Sequence, residues 1–305
     1  MAVKVGAVGL GAMGCGMALN LVRKGFEVRG YDPDAAAMKL FVDGGGVAAS
    51  GAAEAARGAD LLLLVVFTTD QAEDALFGAG GAADALKKGA TVVVSTTFPP
   101  DRAEALEQRL ARAGLLMLDA PVTGGKRGAD EATMTAIVSG PDPAFAAARP
   151  ALEAMAKTIY RVGDKAGQAA LVKMINQLLV GIHGVAAAEA LTLAAKAGLD
   201  PNLVYEVITH GVGNSFVFER QAPLMFAADY APRGVVGILV KDLAAVLDLA
   251  KTLRFPLPLG AAAHQQFLAA AAHGHEREDA CAVVKVYETL SGVDLAAAAQ
   301  KGRKA

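Results

Sequence analysis

The chain of 305 residues predicts an α/β fold in two parts: a doubly wound sheet domain over residues 1–164, then an all-α domain over residues 165–305, joined through a long helix. Three observations carry this. Short apolar runs alternate with alanine-rich helical stretches up to about residue 162. A glycine pattern, G-x-G-x-x-G, follows the first run, and beyond about residue 164 the apolar spacing turns helical and stays so.

The runs are VKVGAV, FEVRGYD, ADLLLLVVF, TVVVST and LLMLDAPV, each bounded by Gly, Asp or Pro. A strand covered on both faces by helices reads as an unbroken apolar run, so these five predict a parallel sheet. From Gly167 to about Ala197 a single helix is expected, stopped by Gly198 and followed by LDPN, a helix stop and a new start. Helical period continues through LVYEVITHG and VVGILVKDLAAVLDLAKTL, with Pro256 and Pro258 marking a break.

An apolar content of 54% is ample for two cores, and a net charge of −2 with no Lys/Arg run longer than a pair argues against nucleic acid or an anionic membrane as partner. Two cysteines, Cys15 and Cys281, make neither a disulfide framework nor a metal site, and reduced thiols in a cytoplasm are expected. The tract LLVGIHGVAAAEALTLAA carries His183 and Glu189, which are costly in a bilayer. HGHERED, with His273 and His275, has the composition of a surface loop, and no metal is expected there.

The glycine pattern is weak evidence alone, and its context strengthens it. A strand precedes it, the helical CGMALNLVRKG follows, and a second strand ends in Asp32. Gly9 permits a tight turn, Gly11 lets a pyrophosphate approach the backbone, and Gly14 lets helix and strand pack closely. Gly9, Leu10, Gly11, Ala12, Met13 and Gly14 thus form a candidate dinucleotide turn of Rossmann type. Asp32 suits ribose hydroxyls and repels a 2′-phosphate; Pro33 and Asp34 follow it, and Arg29 lies on the opposite strand face. NAD is favoured over NADP.

Lys173, Asn176 and Gln177 share one face of an otherwise apolar helix. A lysine desolvated there has its pKa drawn toward neutrality, as an acid/base near pH 7 requires, although a lysine snorkelling to the rim has the same spacing. Lys241 and Asp242 interrupt another apolar helix, where a plain ion pair is the alternative. In DAPVTGG, residues 119–125, Thr123, Gly124 and Gly125 offer a hydroxyl and accessible N–H groups to a carboxylate, or form a simple turn.

Together these segments resemble the β-hydroxyacid dehydrogenase family from end to end: VGAVGLGAMGCGMALNL its N-terminal signature, DAPVTGG its substrate loop, GQAALVKMINQ its catalytic helix, KDL its cofactor-side motif. The resemblance implies hydride transfer between a small hydroxy acid and NAD, at a site that draws on both domains. Lys173 would be the acid/base, with Asn176 and Gln177 beside it. Thr123, Gly124 and Gly125 would hold the substrate carboxylate, Val66, Phe67 and Thr97 would line the nicotinamide side, and Lys241 would complete the site. Gln177 departs from the family's usual second asparagine, which bears on how the substrate hydroxyl is oriented. THGVGNSFVFER, DYAPR and AVVKVY resemble the branch that oxidises L-threonate, which implies oxidation at C2. His210, Asn214 and Ser215 would supply the added polarity, or else cap a helix. Rival expectations are an NADPH-dependent reductase of a short semialdehyde, a 3-hydroxyisobutyrate dehydrogenase and a non-catalytic NAD-binding regulator. A homodimer or homotetramer is expected from the apolar helices and the resemblance.

Overall fold

The computed structural model describes residues 3–302, and the chain divides into two compact units on either side of the Lys173–Met174 bond. The first unit holds strands β1 (Lys4–Val8), β2 (Glu27–Tyr31), β3 (Val47–Ala48), β4 (Leu61–Leu64), β5 (Thr91–Val94), β6 (Leu116–Asp119), β7 (Val122–Thr123), β8 (Met134–Ser139) and β9 (Ala156–Gly163). Its helices are α1 (Gly14–Arg23), α2 (Ala35–Asp43), α3 (Ala52–Ala56), α4 (Thr69–Phe77), α5 (Pro100–Arg112), α6 (Gly125–Asp130) and α7 (Asp142–Met155). Helix α8 (Gln168–Lys196) begins in this unit and runs on into the second.

The strand order is β3-β2-β1-β4-β5-β6-β8-β7, with β9 paired to β8. Neighbours from β3 to β6 are parallel, and the order reverses between β1 and β4, the switch point beyond whose strand ends a doubly wound sheet binds its ligand. Each of the five expected runs contains a strand. Beyond these runs, at the far edge, the sheet adds β8, which runs antiparallel to β6 and β7 and pairs parallel with β9. Pro121, which has no N–H for a ladder, separates β6 from β7 within what reads as one run.

Successive side chains alternate between the sheet's two faces. Leu61, Leu63, Val93 and Leu118 join Met17, Leu21 and Phe41 in one core, while Leu62, Leu64, Val92, Val94 and Met117 join Leu76, Leu106 and Leu110 in the other. Both faces of β4 are therefore buried, which is why its sequence is four leucines in a row.

The second unit is helical: the rest of α8, then α9 (Pro201–Thr209), α10 (Phe216–Phe226), α11 (Val236–Thr252), α12 (Pro258–Ala270), α13 (Val284–Ser291) and α14 (Leu295–Gly302). Its core gathers Leu191, Phe218, Met225, Leu243 and Phe267. Asp200 caps α9 through Asn202 N–H and Pro201 opens that helix, the new start that LDPN signals. Among the described residues α8 is the one helix long and apolar enough to cross a membrane. Its first turn is hydrogen-bonded to the sheet, and Ala187, Ala188 and Leu191 lie in the second core, the setting of a core helix.

Candidate active site

Strand β1 runs into Gly9, whose N–H donates to the Tyr31 carbonyl at 3.0 Å and whose φ of +89° an L side chain rarely adopts. A Cβ on Gly9 would stand 2.1 Å from the Val65 carbonyl oxygen, and one on Gly14 would stand 2.0 Å from that of Gly9, so both positions are closed to a side chain. Gly11 is the opposite case: a Cβ there meets nothing within 4 Å. Helix α1 starts at Gly14 with no side-chain hydrogen bond at its cap and no acidic residue in its first turn, leaving its electropositive end to an external anion. An open backbone at Gly11 beside an uncapped helix start fits a dinucleotide pyrophosphate.

The Leu10 side chain is buried in the core, so what it offers the turn is its backbone. Its N–H donates to Asp32 Oδ2 at 2.7 Å, and Asp34 N–H donates to Asp32 Oδ1 at 2.8 Å. These two bonds pin the Asp32 carboxylate at the end of β2, against the glycine turn. Asp34 caps α2 by accepting from Ala36 N–H at 2.8 Å, and Arg29 Nη1 reaches the Glu54 carbonyl at 3.5 Å. Arg29 is thus turned to Glu54.

Beyond β4, Val66 is half-buried and Phe67 is 46% exposed. Thr96 latches this loop to the end of β5: its Oγ1 accepts from Val66 N–H and donates to the Val66 carbonyl, both at 3.0 Å. Thr97, half-buried, follows directly. Sequence reading singles out Thr97 and misses Thr96, whose partner lies 30 residues away.

The segment after β6 turns at Pro121 and pairs Val122 and Thr123 with Ala136 and Thr135 of β8. Gly124 and Gly125 then take φ of +129° and +67°, angles that expose successive backbone N–H groups. Helix α6, next in the chain, is held on α1, where Asn20 Nδ2 donates to the Ala129 carbonyl at 2.6 Å and Arg23 Nη1 donates to Asn20 Oδ1 at 2.7 Å. The polar residue that interrupts the apolar tract of α1 thus ties the loop's helix to the nucleotide-binding helix.

Asp119 ends β6 and is 1% exposed. Its Oδ2 accepts from Gly167 N–H at 2.9 Å and Ala170 N–H at 3.0 Å, and Ser139 Oγ, 3.5 Å away, accepts from Ala169 N–H at 2.9 Å. Burial pushes the Asp119 carboxyl up to about 6, against the pull of those hydrogen bonds, and nearby Glu107 adds to the rise. Lys173 stands one turn further along α8, at three residues from Ala170, and is 8% exposed.

Within the second unit Gln177 Nε2 donates to Asp242 Oδ2 at 2.7 Å, Lys241 Nζ donates to Asp242 Oδ1 at 2.5 Å, and Asn176 Nδ2 donates to Gln177 Oε1 at 3.1 Å. The buried Asp242 carboxylate is the hub of this chain of polar groups, and Lys241–Asp242 is more than a solvated pair. Ser215 caps α10 by accepting from Phe218 N–H at 3.1 Å, Asn214 Nδ2 reaches Glu219 Oε1 at 2.5 Å, and His210 Nδ1 lies 2.8 Å from the Glu206 carbonyl oxygen. The capping alternative therefore describes Ser215, while Asn214 Oδ1 stays buried without a partner. Among the described residues no group of three or more His, Cys, Asp or Glu is placed to hold a metal.

Two family models match the chain. One, described as the NAD binding domain of 6-phosphogluconate dehydrogenase, covers residues 4–163. The other, the NAD-binding domain of NADP-dependent 3-hydroxyisobutyrate dehydrogenase, covers residues 167–287. The chain belongs to the β-hydroxyacid dehydrogenase family. It is 46% identical to an L-threonate dehydrogenase of Cupriavidus necator over 97% of this chain and 98% of that one, and 42% identical to an L-threonate dehydrogenase of Escherichia coli over 95% and 96%. A solved structure of a 3-hydroxyisobutyrate dehydrogenase from Salmonella typhimurium superposes with a TM-score of 0.88 at 41% identity, covering 93% of this chain and 99% of that one. The chain is thus an oxidoreductase acting on the CH–OH group of a hydroxy acid with a nicotinamide dinucleotide, and NAD agrees with its Asp32 corner.

Proposed function

We propose that this dehydrogenase oxidises L-threonate at C2 to the 2-oxo acid, with NAD as hydride acceptor and Lys173 as general base. The observation that carries the reading is the placing of Lys173, an almost fully buried lysine near the start of a helix seated on the strand that leads to Thr123. Similarity to L-threonate dehydrogenases over nearly the full length, at 42% and 46% identity, supports the choice of substrate.

Bound NAD supplies the hydride acceptor, nicotinamide C4. Gly9 to Gly14 would hold its pyrophosphate on backbone N–H groups, Asp32 would accept from the ribose hydroxyls, and Val66, Phe67 and Thr97 would line the nicotinamide side. The Thr123 hydroxyl and the Gly124 and Gly125 N–H groups take the substrate carboxylate, which selects the carbon that faces the ring. Lys173 Nζ, unprotonated, accepts the C2 hydroxyl proton as hydride leaves that carbon; in the reverse direction its ammonium returns the proton to the carbonyl oxygen. In this reading Asn176 and Gln177 would orient the hydroxyl, Lys241 would complete the site, and Asn214 would supply the further polarity a polyhydroxylated substrate needs, with Ser215, whose Oγ accepts from Phe218 N–H, adding its hydroxyl as a donor.

The substrate assignment is tested by recording NADH formation with L-threonate, D-threonate, glycerate and 3-hydroxyisobutyrate, and identifying the product. L-threonate is expected to give the highest kcat/KM; a tenfold preference for 3-hydroxyisobutyrate sinks the assignment. Cofactor choice is tested separately: kcat/KM is expected to be higher with NAD than with NADP, because a 2′-phosphate would face the Asp32 carboxylate. A tenfold preference for NADP removes that reading and favours the semialdehyde reductase.

The proposal includes a cytoplasmic enzyme with no nucleic-acid or membrane partner that assembles as a homodimer or homotetramer. Leu193, Leu203, Val207, Phe216, Phe255 and Leu259 of the helical unit are each more than half exposed, an apolar surface suited to copies of the same chain. Light scattering at micromolar concentration is expected to report at least twice the chain mass, and a monomer alone contradicts it.

A further inference from the structure

Asp119 and Ser139 face each other across the antiparallel pair of β6 and β8. Between them they accept from Gly167, Ala169 and Ala170, the backbone groups that open the helix bearing Lys173. Strand β6 leads through Pro121 into the loop assigned to the substrate carboxylate, and β8 pairs with β7 at the start of that loop. Asp119 lies four residues ahead of Thr123, and Thr123 pairs with Thr135 on β8. A helix start has several N–H groups without intrahelical partners, and an apolar residue at position 119 would leave those of Gly167 and Ala170 unsatisfied in a dry site. The seat therefore fixes where α8 begins relative to Thr123, Gly124 and Gly125, and Lys173 is three residues, about 4.5 Å of helix rise, beyond the seated Ala170.

We propose that Asp119, assisted by Ser139, is a positioning residue for turnover: it seats the start of α8 on the β6–β8 pair and so holds the Lys173 amine in register with the substrate-carboxylate loop. This rests on the reading of Lys173 as acid/base and Thr123 to Gly125 as carboxylate clamp. Asp119 touches neither substrate nor cofactor in this scheme. Its effect passes through Lys173, so it belongs to the proton-transfer step and not to dinucleotide affinity.

The test compares Asp119→Ala, Asp119→Asn, Ser139→Ala and Lys173→Ala in the full-length enzyme. Measured are kcat per folded site, KM, NAD affinity, melting temperature and the solvent deuterium isotope effect on kcat. A misplacement of about 1 Å can cost 10²-fold in rate, so Asp119→Ala is expected to lower kcat by about 10- to 100-fold with NAD affinity within twofold of the unsubstituted enzyme. Its solvent isotope effect is expected to rise, because proton transfer to a displaced amine becomes slower. Asp119→Asn keeps an acceptor oxygen and is expected to recover most of the turnover. If Asp119→Ala melts earlier but keeps kcat and the isotope effect unchanged, Asp119 is structural and the proposal is wrong. Should Asp119→Ala not fold, Ser139→Ala decides: a severalfold lower kcat with a raised isotope effect upholds the seat, and unchanged values overturn it. Lys173→Ala separates the two readings. If it turns over normally, the acid/base assignment falls and the seat with it, whereas an inactive Lys173→Ala beside a fully active Asp119→Ala removes the seat alone.

Discussion

Lys173→Ala is expected to oxidise its hydroxy acid about two to four orders of magnitude more slowly than the unsubstituted enzyme while binding NAD with unchanged affinity. Truncation removes the proton acceptor, while the glycine turn that holds the dinucleotide is formed by β1, α1 and β4, more than a hundred residues away in sequence. An effect on kcat without one on NAD binding is what separates loss of chemistry from loss of fold, because a misfolded variant loses both. The pH dependence has a definite sign. Oxidation needs the neutral amine, so kcat for alcohol oxidation rises with pH as Lys173 gives up its proton, and that limb should vanish in Lys173→Ala. Carbonyl reduction needs the ammonium, and its rate should fall over the same interval. Added small primary amines are expected to restore part of the lost turnover. Near-normal turnover in Lys173→Ala with normal NAD affinity would make the lysine structural.

The parts of this architecture written in local pattern were legible from the residues alone. Four consecutive leucines mark β4 because both its faces are covered, and the glycines around Gly9 announce the turn because no other residue tolerates both its φ and its neighbours. The long helix is legible because an alanine- and leucine-rich stretch, apolar nearly all round and free of Pro, runs from Gly167 to its stop at Gly198. Strands β8 and β9 are not legible in this way. MTAIVS and AKTIYRVG contain alanine and threonine among their apolar residues, and their pairing with each other and with β6 is settled by contacts distant in sequence. The same limit governs the site. Candidate residues were found where chemistry is unusual for its surroundings, as at Lys173 and Asp32. What holds them was not found, because Asp119 meets Gly167 and Ala170 across 48 and 51 residues, and Gln177 meets Asp242 across 65. The extra methylene of Gln177 reads in sequence as a departure from asparagine. In the fold that longer amide is the one that reaches Asp242.

Gly9→Ala and Gly11→Ala are expected to separate two roles that the glycine pattern merges. At Gly9 a methyl group must adopt φ near +89°, which costs an L residue on the order of 1–2 kcal/mol, and it must also displace the Val65 carbonyl from 2.1 Å. Backbone cannot swing aside as a side-chain tip does, and Val65 directly follows β4, so the strain falls on the switch point of the sheet. Melting temperature and NAD affinity should therefore fall together, with affinity lower by about 100-fold or more, since about 1.4 kcal/mol corresponds to each factor of ten. Gly11→Ala meets nothing within 4 Å in the protein. Its melting temperature should stay within a degree or two of the unsubstituted enzyme, a surface substitution being worth about 0.5 kcal/mol or less. Its NAD affinity should nevertheless drop by about tenfold or more, because the added methyl stands where the pyrophosphate must lie against the backbone. Calorimetric titration with NAD, together with thermal melts of the free proteins, reads both quantities. If Gly11→Ala binds NAD as tightly as the unsubstituted enzyme, the pyrophosphate does not pass over that residue, and the placing of the dinucleotide on this turn is wrong.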